Sequence, residues 1–337
     1  MYDILSLGEI LLRLSPPGET RLFSSHTLEE NLGGAELNVV VGAAQLGMKT
    51  GLITKLPANM MGSYAQRIVE SGSVSPEYIV YDHDDDARLG LYYYERGAYP
   101  RKPTAVYDRK GSSFCKITPD DFPDDIYSQT RCFHTTGITF GLGGQCRETA
   151  MELIKRFKAA GAKISFDVNY RANLWSGEEA RQCIEQVLPY VDYFFCSEDT
   201  ARLTFNKTGT LEEMMMSFAD DYPMTAIFST HRTVHSPRIH DFTSKIYDVK
   251  TESFISGKPY ERIDVVDRIG SGDCYISGAL YGMLSEGGCV QKACRFGNAT
   301  AALKMTTAGD VWVSSLPEVE RTIEEHYSEG EVSELNR

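Results

Sequence analysis

What this chain lacks removes several classes of function. Its eight cysteines lie at 115, 132, 146, 183, 196, 274, 289 and 294, and no two of them form a CxxC pair. No histidine cluster completes a zinc spacing, so a zinc module is excluded and the cysteines read as free thiols of a reducing compartment. No run of about 18 apolar residues occurs, so no membrane span is expected. The stretch Met1-Tyr2-Asp3-Ile4-Leu5 opens no basic segment and no long apolar run. It therefore reads as no signal peptide, and the expected location is cytoplasmic. Basic residues are in deficit, 34 against 47 acidic ones, giving a net charge of −13. That surface repels phosphate backbones and argues against nucleic acid as a partner. It repels small anions too, so any anion site must be built locally from Arg, Lys and helix N-termini. No internal repeat or low-complexity segment is visible.

What is present fits a large globular core. The 337 residues are 42% hydrophobic and 24% charged, enough for one large domain with a small accessory lobe or for two ordinary domains. Short apolar runs alternate with helical patterns. Strands are expected at Ile4–Leu7, Lys163–Val168, Asp192–Cys196 and Thr225–Ser229. Helices are expected at Ala35–Leu46, Arg147–Ala160, Glu178–Pro189, Leu211–Asp220, Val290–Thr306 and Pro317–Tyr327. The alternation predicts an α/β fold, a mostly parallel central sheet with helices on both faces, whose ligands sit beyond the C-terminal strand ends. Two stretches, Leu12–Glu30 and Arg88–Ser113, break the rhythm with Tyr, Arg, Gly and Pro. They read as a small separate sheet inserted into the main domain. The boundaries are then 1–11, 31–87 and 114–337 for the main domain, and 12–30 and 88–113 for the insert. The acidic run Asp82-His83-Asp84-Asp85-Asp86 reads as a solvated loop rather than a metal site.

The most informative stretch is Val265-Val266-Asp267-Arg268-Ile269-Gly270-Ser271-Gly272-Asp273. A strand pattern ends, two glycines bracket a serine, and an aspartate opens a helix whose apolar face is Ile276, Ala279, Leu280, Met283 and Leu284. Gly270 and Gly272 let backbone approach a ligand. The unpaired N–H groups of Gly270, Ser271, Gly272 and Asp273 make an anion hole at the helix start. Phosphoryl transfer needs such donors together with a base near the attacking hydroxyl. The plain alternative is a glycine turn with an aspartate that favours the helix dipole.

This segment resembles the C-terminal signature of the ribokinase-like (PfkB) carbohydrate kinases, approximately D-T-x-G-A-G-D, with Arg268 for Thr and Ser271 for Ala. Asn31-Leu32-Gly33-Gly34-Ala35-Glu36-Leu37-Asn38 is similar to the family's G-G-x-x-x-N element. The resemblance runs from about Ser6 to Pro317. It implies a ribokinase-like α/β domain with a β lid, Asp273 as catalytic base, and ATP with Mg²⁺ as cofactors. Within the family the chain looks most like 2-keto-3-deoxygluconate kinases. Arg171 follows the strand Phe166-Asp167-Val168, Tyr107 and Arg109 sit two apart on a lid strand, and Tyr92 adds a second lid aromatic. The resemblance assigns Gly34, Asn38, Tyr92, Tyr107, Arg109 and Arg171 to the sugar acid, and guanidinium forks suit its carboxylate. Arg13 stands where ribokinases and nucleoside kinases usually carry a sugar-binding Asp, which disfavours a neutral pentose or nucleoside.

Two departures stand out. The family's N-x-x-E element, which organises Mg²⁺ through water, falls on Ser197 and Thr200, with Glu198 and Asp199 as neighbouring acids, so the metal ligands are left open. The glycine-containing nucleotide loop falls on Ser229-Thr230-His231-Arg232-Thr233-Val234, which has no glycine. Ser197, Ser229, His231, Arg232, Gly270, Gly272 and Asn298 are the expected nucleotide-side residues. A monovalent cation near Asp267 is left open, and a homo-oligomer formed through the lid is expected. A fructokinase or other hexose kinase, and a sugar-binding regulator without catalysis, remain the alternative readings.

Overall fold

The computed structural model describes residues 1–328; residues 329–337, the end of the range expected for the main domain, lie outside the described residues. The first third holds β1 (Tyr2–Leu7), β2 (Leu11–Ser15), β3 (Glu29–Gly33), α1 (Ala35–Gln45), β4 (Thr50–Pro57), α2 (Met60–Ser71), β5 (Ile79–Asp82), β6 (Gly90–Glu95) and β7 (Thr104–Asp108). The middle holds β8 (Thr130–Thr136), α3 (Gly137–Gly141), α4 (Gly144–Ala159), β9 (Lys163–Asp167), α5 (Gly177–Ile184), β10 (Tyr193–Phe195), α6 (Glu198–Leu203) and α7 (Leu211–Asp221). The last third holds β11 (Ala226–Ser236), β12 (Ile239–Asp248), β13 (Ser253–Ser256), β14 (Tyr260–Asp264), α8 (Ser271–Leu284), α9 (Val290–Met305) and α10 (Leu316–Tyr327).

The large sheet runs β13-β12-β11-β10-β9-β8-β1-β4-β5, with β14 paired to β12. From β11 to β5 every pairing is parallel; β12, β13 and β14 add an antiparallel flank. The parallel strands are apolar along most of their length because helices bury both faces. Two core clusters express this, one around Phe133, Phe157, Phe166 and Phe194, the other around Val39, Phe195, Phe228, Tyr275 and Leu280. A second sheet, β3-β2-β6-β7, stands apart as the lid. It includes residues 31–33, which the sequence reading gave to the main domain, because Asn31–Gly33 pair with Leu11–Arg13.

The largest difference from expectation lies in β11. A strand ending near Ser229 was expected; it runs on to Ser236 and pairs antiparallel with β12 down to a turn at Pro237-Arg238. The β-branched Thr230, Thr233 and Val234 suit this extension. A hairpin thus stands where the family's glycine-containing nucleotide loop falls, the other shape that the missing glycines require. The acidic run proves to be occupied by a side chain: Lys116 Nζ lies 3.1, 2.9 and 2.6 Å from carboxylate oxygens of Asp82, Asp84 and Asp86. Among the described residues no group of three or more His, Cys, Asp or Glu is placed to hold a metal, and no helix is long and apolar enough to cross a membrane. All eight cysteines are free.

Candidate active site

The site begins with the turn that starts α8. Gly270 is left-handed, φ 81°, and a Cβ there would come 2.4 Å from the Asp310 carbonyl oxygen. Only glycine fits. Ser271 N–H donates to Arg268 O at 3.2 Å and Cys274 N–H to Gly270 O at 2.9 Å; between them, Gly272 and Asp273 N–H have no backbone acceptor. A Cβ on Gly272 would meet nothing within 4 Å. The helix therefore opens with free donors pointing into space, as an anion site requires.

Asp273 stands at that opening. Its Oδ2 accepts from Asn38 Nδ2 at 2.7 Å. Asn38 is brought there by α1, which packs against α8 where Gly42 meets Ser277 and Ser277 Oγ donates to Val39 O at 2.9 Å. Burial pushes the Asp273 carboxyl up to about 7; Asn38 and then Arg171 oppose the shift, and the negative charges of Glu36 and Asp310 add to it. Asp167, at the end of β9, is likewise raised to about 7, by burial and then by Asp273 itself. Burial thus lifts two carboxylates that face one cavity to about 7, the range in which a general base works best.

The cavity at Asp273, of about 480 Å³, lies between the strand ends and the lid. The structure brings Gly34, Asn38, Tyr92, Tyr107, Arg109, Arg171, Arg232, Gly270, Ser271, Gly272 and Asp273 into its wall. Gly34 is needed there because a Cβ would strike the Glu9 carbonyl oxygen at 2.2 Å. Tyr92 and Tyr107 stack with ring centroids 5.2 Å apart, and Tyr92 donates its hydroxyl to Asp310 Oδ2 at 2.7 Å. A second cavity of about 320 Å³ contains Ser197, Thr200 and Thr230; it shares Asp167, Asn169, Arg171 and Gly272 with the first. The two spaces thus meet beside Asp273.

Three expected nucleotide residues are not brought to either space. Alternation along β11 explains two: Thr230 and Arg232 face the cavities, so Ser229 and His231 face away. Ser229 is buried and His231 exposed. Asn298 is fully buried on α9 under Gly257, whose added Cβ would lie 1.9 Å from its amide nitrogen. Ser197 is the N-cap of α6, its hydroxyl accepting from Thr200 N–H at 3.2 Å.

Two arginines are engaged in ways their positions did not show. Arg109 Nε donates to Glu9 Oε2 at 2.8 Å, and Ser112 Oγ holds the other carboxylate oxygen of Glu9. Arg13 is buried, 2.8 Å from both Asp267 Oδ2 and Asp310 Oδ1, and lines neither of the two cavities that meet at Asp273. Its charge joins the lid to the glycine turn. Arg171 is exposed and touches only backbone oxygens of Asn169 and Tyr170, 3.4 and 3.1 Å away. Sequence reasoning missed Glu9, Glu36, Arg268 and Asp310 as site residues. Glu36 carried a signal, a lone acid in the apolar run Ala35–Val41. It is buried, and the hydroxyls of Thr136 and Thr139 donate to it at 2.7 and 2.8 Å. Its carboxyl is raised by that burial.

A raised carboxylate at an open helix end, between two cavities and under a small β lid, defines a kinase acting on a small hydroxylated substrate. The chain belongs to the pfkB family of carbohydrate kinases, whose model matches residues 1–230 and 246–314. It is similar to a 2-dehydro-3-deoxygalactonokinase of Haloferax volcanii, 34% identical over 95% of this chain and 96% of the relative. It also resembles the crystal structure of a 2-dehydro-3-deoxygluconokinase of Thermotoga maritima, with TM-score 0.89 and 30% identity over 96% of this chain and 99% of that one. A pfkB family carbohydrate kinase of Listeria grayi aligns with TM-score 0.89 and 32% identity, over 95% and 99% of the two chains.

Proposed function

We propose that this chain is an ATP-dependent kinase of 2-keto-3-deoxy sugar acids, adding phosphate to the terminal hydroxyl of 2-keto-3-deoxygluconate or its galactonate epimer. The observation that carries this reading is the pairing of Asp273, raised to about 7 at the open end of α8, with a guanidinium, Arg171, that has no carboxylate partner among the described residues and borders both cavities. The names of the relatives, 2-dehydro-3-deoxy-galactonate and -gluconate kinases, support the same substrate class.

In this reading the sugar lies in the larger space beneath Tyr92 and Tyr107, beside Gly34 and Asn38, with its carboxylate toward Arg171. Arg109, tied to Glu9, shapes the wall by hydrogen bonding more than by free charge. Asp273 accepts the proton of the terminal hydroxyl, whose oxygen then attacks the γ-phosphorus. The N–H groups of Gly272 and Asp273 receive the growing negative charge on the phosphoryl oxygens. Lid residues exclude water and so suppress hydrolysis of the nucleotide. The triphosphate enters from the Ser197–Thr230 side and meets the sugar at Gly272.

The donor set fits Mg²⁺ carried in on phosphates, since Mg²⁺ needs only one or two protein carboxylates and keeps several waters. Asp167 borders both spaces and would hold it, with Ser197 and Thr200 lining the same smaller cavity. When bound, the ion neutralises phosphate charge. We also place the protein in the cytoplasm, in keeping with its free thiols. We expect copies to pair through the lid, whose edge strand β7 leaves Val106 exposed.

The test is ADP formation from ATP with 2-keto-3-deoxygluconate, 2-keto-3-deoxygalactonate, fructose and ribose in parallel. The acids should support turnover and the neutral sugars should not. Arg171→Ala should raise KM for the acid about 10- to 100-fold, the worth of a hydrogen bond to a charged group. Turnover with fructose but not with either acid would overturn the assignment in favour of a hexose kinase. No turnover with any sugar would point to a regulator.

A further inference from the structure

The family model that matches this chain passes over residues 231–245. Those residues are the tip and flanks of the β11–β12 hairpin. The hairpin leans toward the lid and encloses, with the segment Arg96–Pro103 and the turn Val265–Arg268, a cavity of about 910 Å³ that adjoins the active site. Tyr94, Pro103, Arg232 and Arg268 belong to both spaces and form the wall between them.

Of the six Arg and Lys side chains around this cavity three are neutralised, while Lys102, Arg232 and Arg268 have no carboxylate partner among the described residues. Arg238 pairs with Glu19, Arg101 lies 2.5 Å from Glu95, and Arg96 is 3.8 Å from Asp267. Arg232 and Arg268 differ. Among the described residues neither guanidinium has a carboxylate within ion-pair distance or a hydrogen-bond partner. Both line the two cavities, Arg232 exposed at its outer side and Arg268 half-buried; desolvation and then the charge of Arg268 hold Arg232 below its ordinary range. His240, buried behind them, is depressed by its burial and then by both. Like charges brought together at a partly dried wall repel. In a chain of net charge −13, no carboxylate among the described residues pairs with either guanidinium to offset that repulsion. A bound oxyanion would, and the planar guanidinium fork matches both phosphate and carboxylate.

We propose that Arg232 and Arg268 form an oxyanion subsite in the wall between the active-site cleft and the larger cavity. It takes a phosphate group of the nucleotide or, if the sugar acid lies turned from the pose given above, its carboxylate in place of Arg171; the identity of those reactants rests on the function proposed above. Arg232 comes from the hairpin unmatched by the family model, and Arg268 occupies the position where the family signature has threonine. The subsite therefore combines a residue outside the matched family model with a departure from the family signature.

The experiment is calorimetric titration of ATP with Mg²⁺, and separately of 2-keto-3-deoxygluconate, into the full chain and its Arg232→Gln, Arg268→Gln and double variants. The double variant should bind at least one of the two ligands about 10- to 100-fold more weakly. Loss confined to ATP identifies a phosphate as the occupant, and loss confined to the sugar acid identifies the carboxylate. Arg238→Gln, in the same cavity but paired with Glu19, should bind both within twofold of wild type. If the double variant melts early, Arg232→Gln on the exposed hairpin carries the test alone. Wild-type-like affinity for both ligands in a folded variant overturns the subsite. A wild-type chain that binds ATP but not the sugar acid fails the proposed substrate instead, and the ATP titration then decides the subsite by itself.

Discussion

Asp267 and Asp273 stand at the two ends of one glycine turn and have opposite fates. Asp267 is buried with Arg13 at 2.8 Å, while Asp310, beside it, shares the same guanidinium and the Tyr92 hydroxyl. Asp273 has only an amide donor, Asn38, and faces a cavity with Asp167. One carboxylate is neutralised and holds two sheets together; the other is left without a cation in contact and its affinity for protons climbs. A short segment can thus carry a charge-paired acid and one whose proton affinity is raised, the acid proposed above as the base, the difference lying in which neighbours the fold supplies.

The sharpest break of this contrast is Asp273→Asn. It should lower turnover by about 10²- to 10⁴-fold, the contribution of a positioned base, with sugar binding by calorimetry kept. Its stability should move the other way. In the folded chain the carboxyl is raised from 3.8 to about 7, so between about pH 4 and 7 the folded state holds more protons than the unfolded one. Stability from this group is then present at low pH and lost as pH rises through 7. The Asn variant, free of that loss, should melt higher than wild type at pH 8; near-normal turnover or a lower melting point would contradict the assignment.

On the structural side, Arg13→Ala leaves Asp267 and Asp310 buried without their cation. It should destabilise the fold by about 3–5 kcal/mol in denaturant unfolding. A loss under about 1 kcal/mol, within the range of surface substitutions, would show that the two aspartates do not depend on it. The smallest change separates space needed by the protein from space kept for a ligand. Gly272→Ala adds a methyl where nothing lies within 4 Å, so stability should hold. Turnover should still drop about 10- to 100-fold through displaced reacting groups. An unfolded variant, or an unimpaired one, would remove the case for Gly272 as an open phosphate contact.

Much of this was legible beforehand. The βα alternation, the lid stretches and the Gly270–Asp273 turn depend on local patterns that a sequence displays. The partners did not show. Nothing near Arg13 announces that two aspartates more than two hundred residues away will enclose it, and nothing near Arg109 announces Glu9. Such pairs are made by topology, not spacing. The hairpin was hidden for another reason: Ser229–Val234 has ordinary strand propensity, and only the continued pairing with β12 decides that the strand goes on. Asp310 was invisible because it acts through burial, in a stretch with no regular pattern.

Asp310 also governs how the chamber exchanges its contents. Its side chain and carbonyl lie against the positions of Gly33 and Gly270, and its carboxylate grips Arg13 and Tyr92. The inner strands of the roof are in effect bolted to the floor at this post, and they cannot lift without parting buried charges. If contents exchange by movement of the roof, the outer rim, where Thr104–Val106 lie exposed, is the side this post does not hold. A clamp that barred movement of β7 would stop exchange even with every reacting group intact.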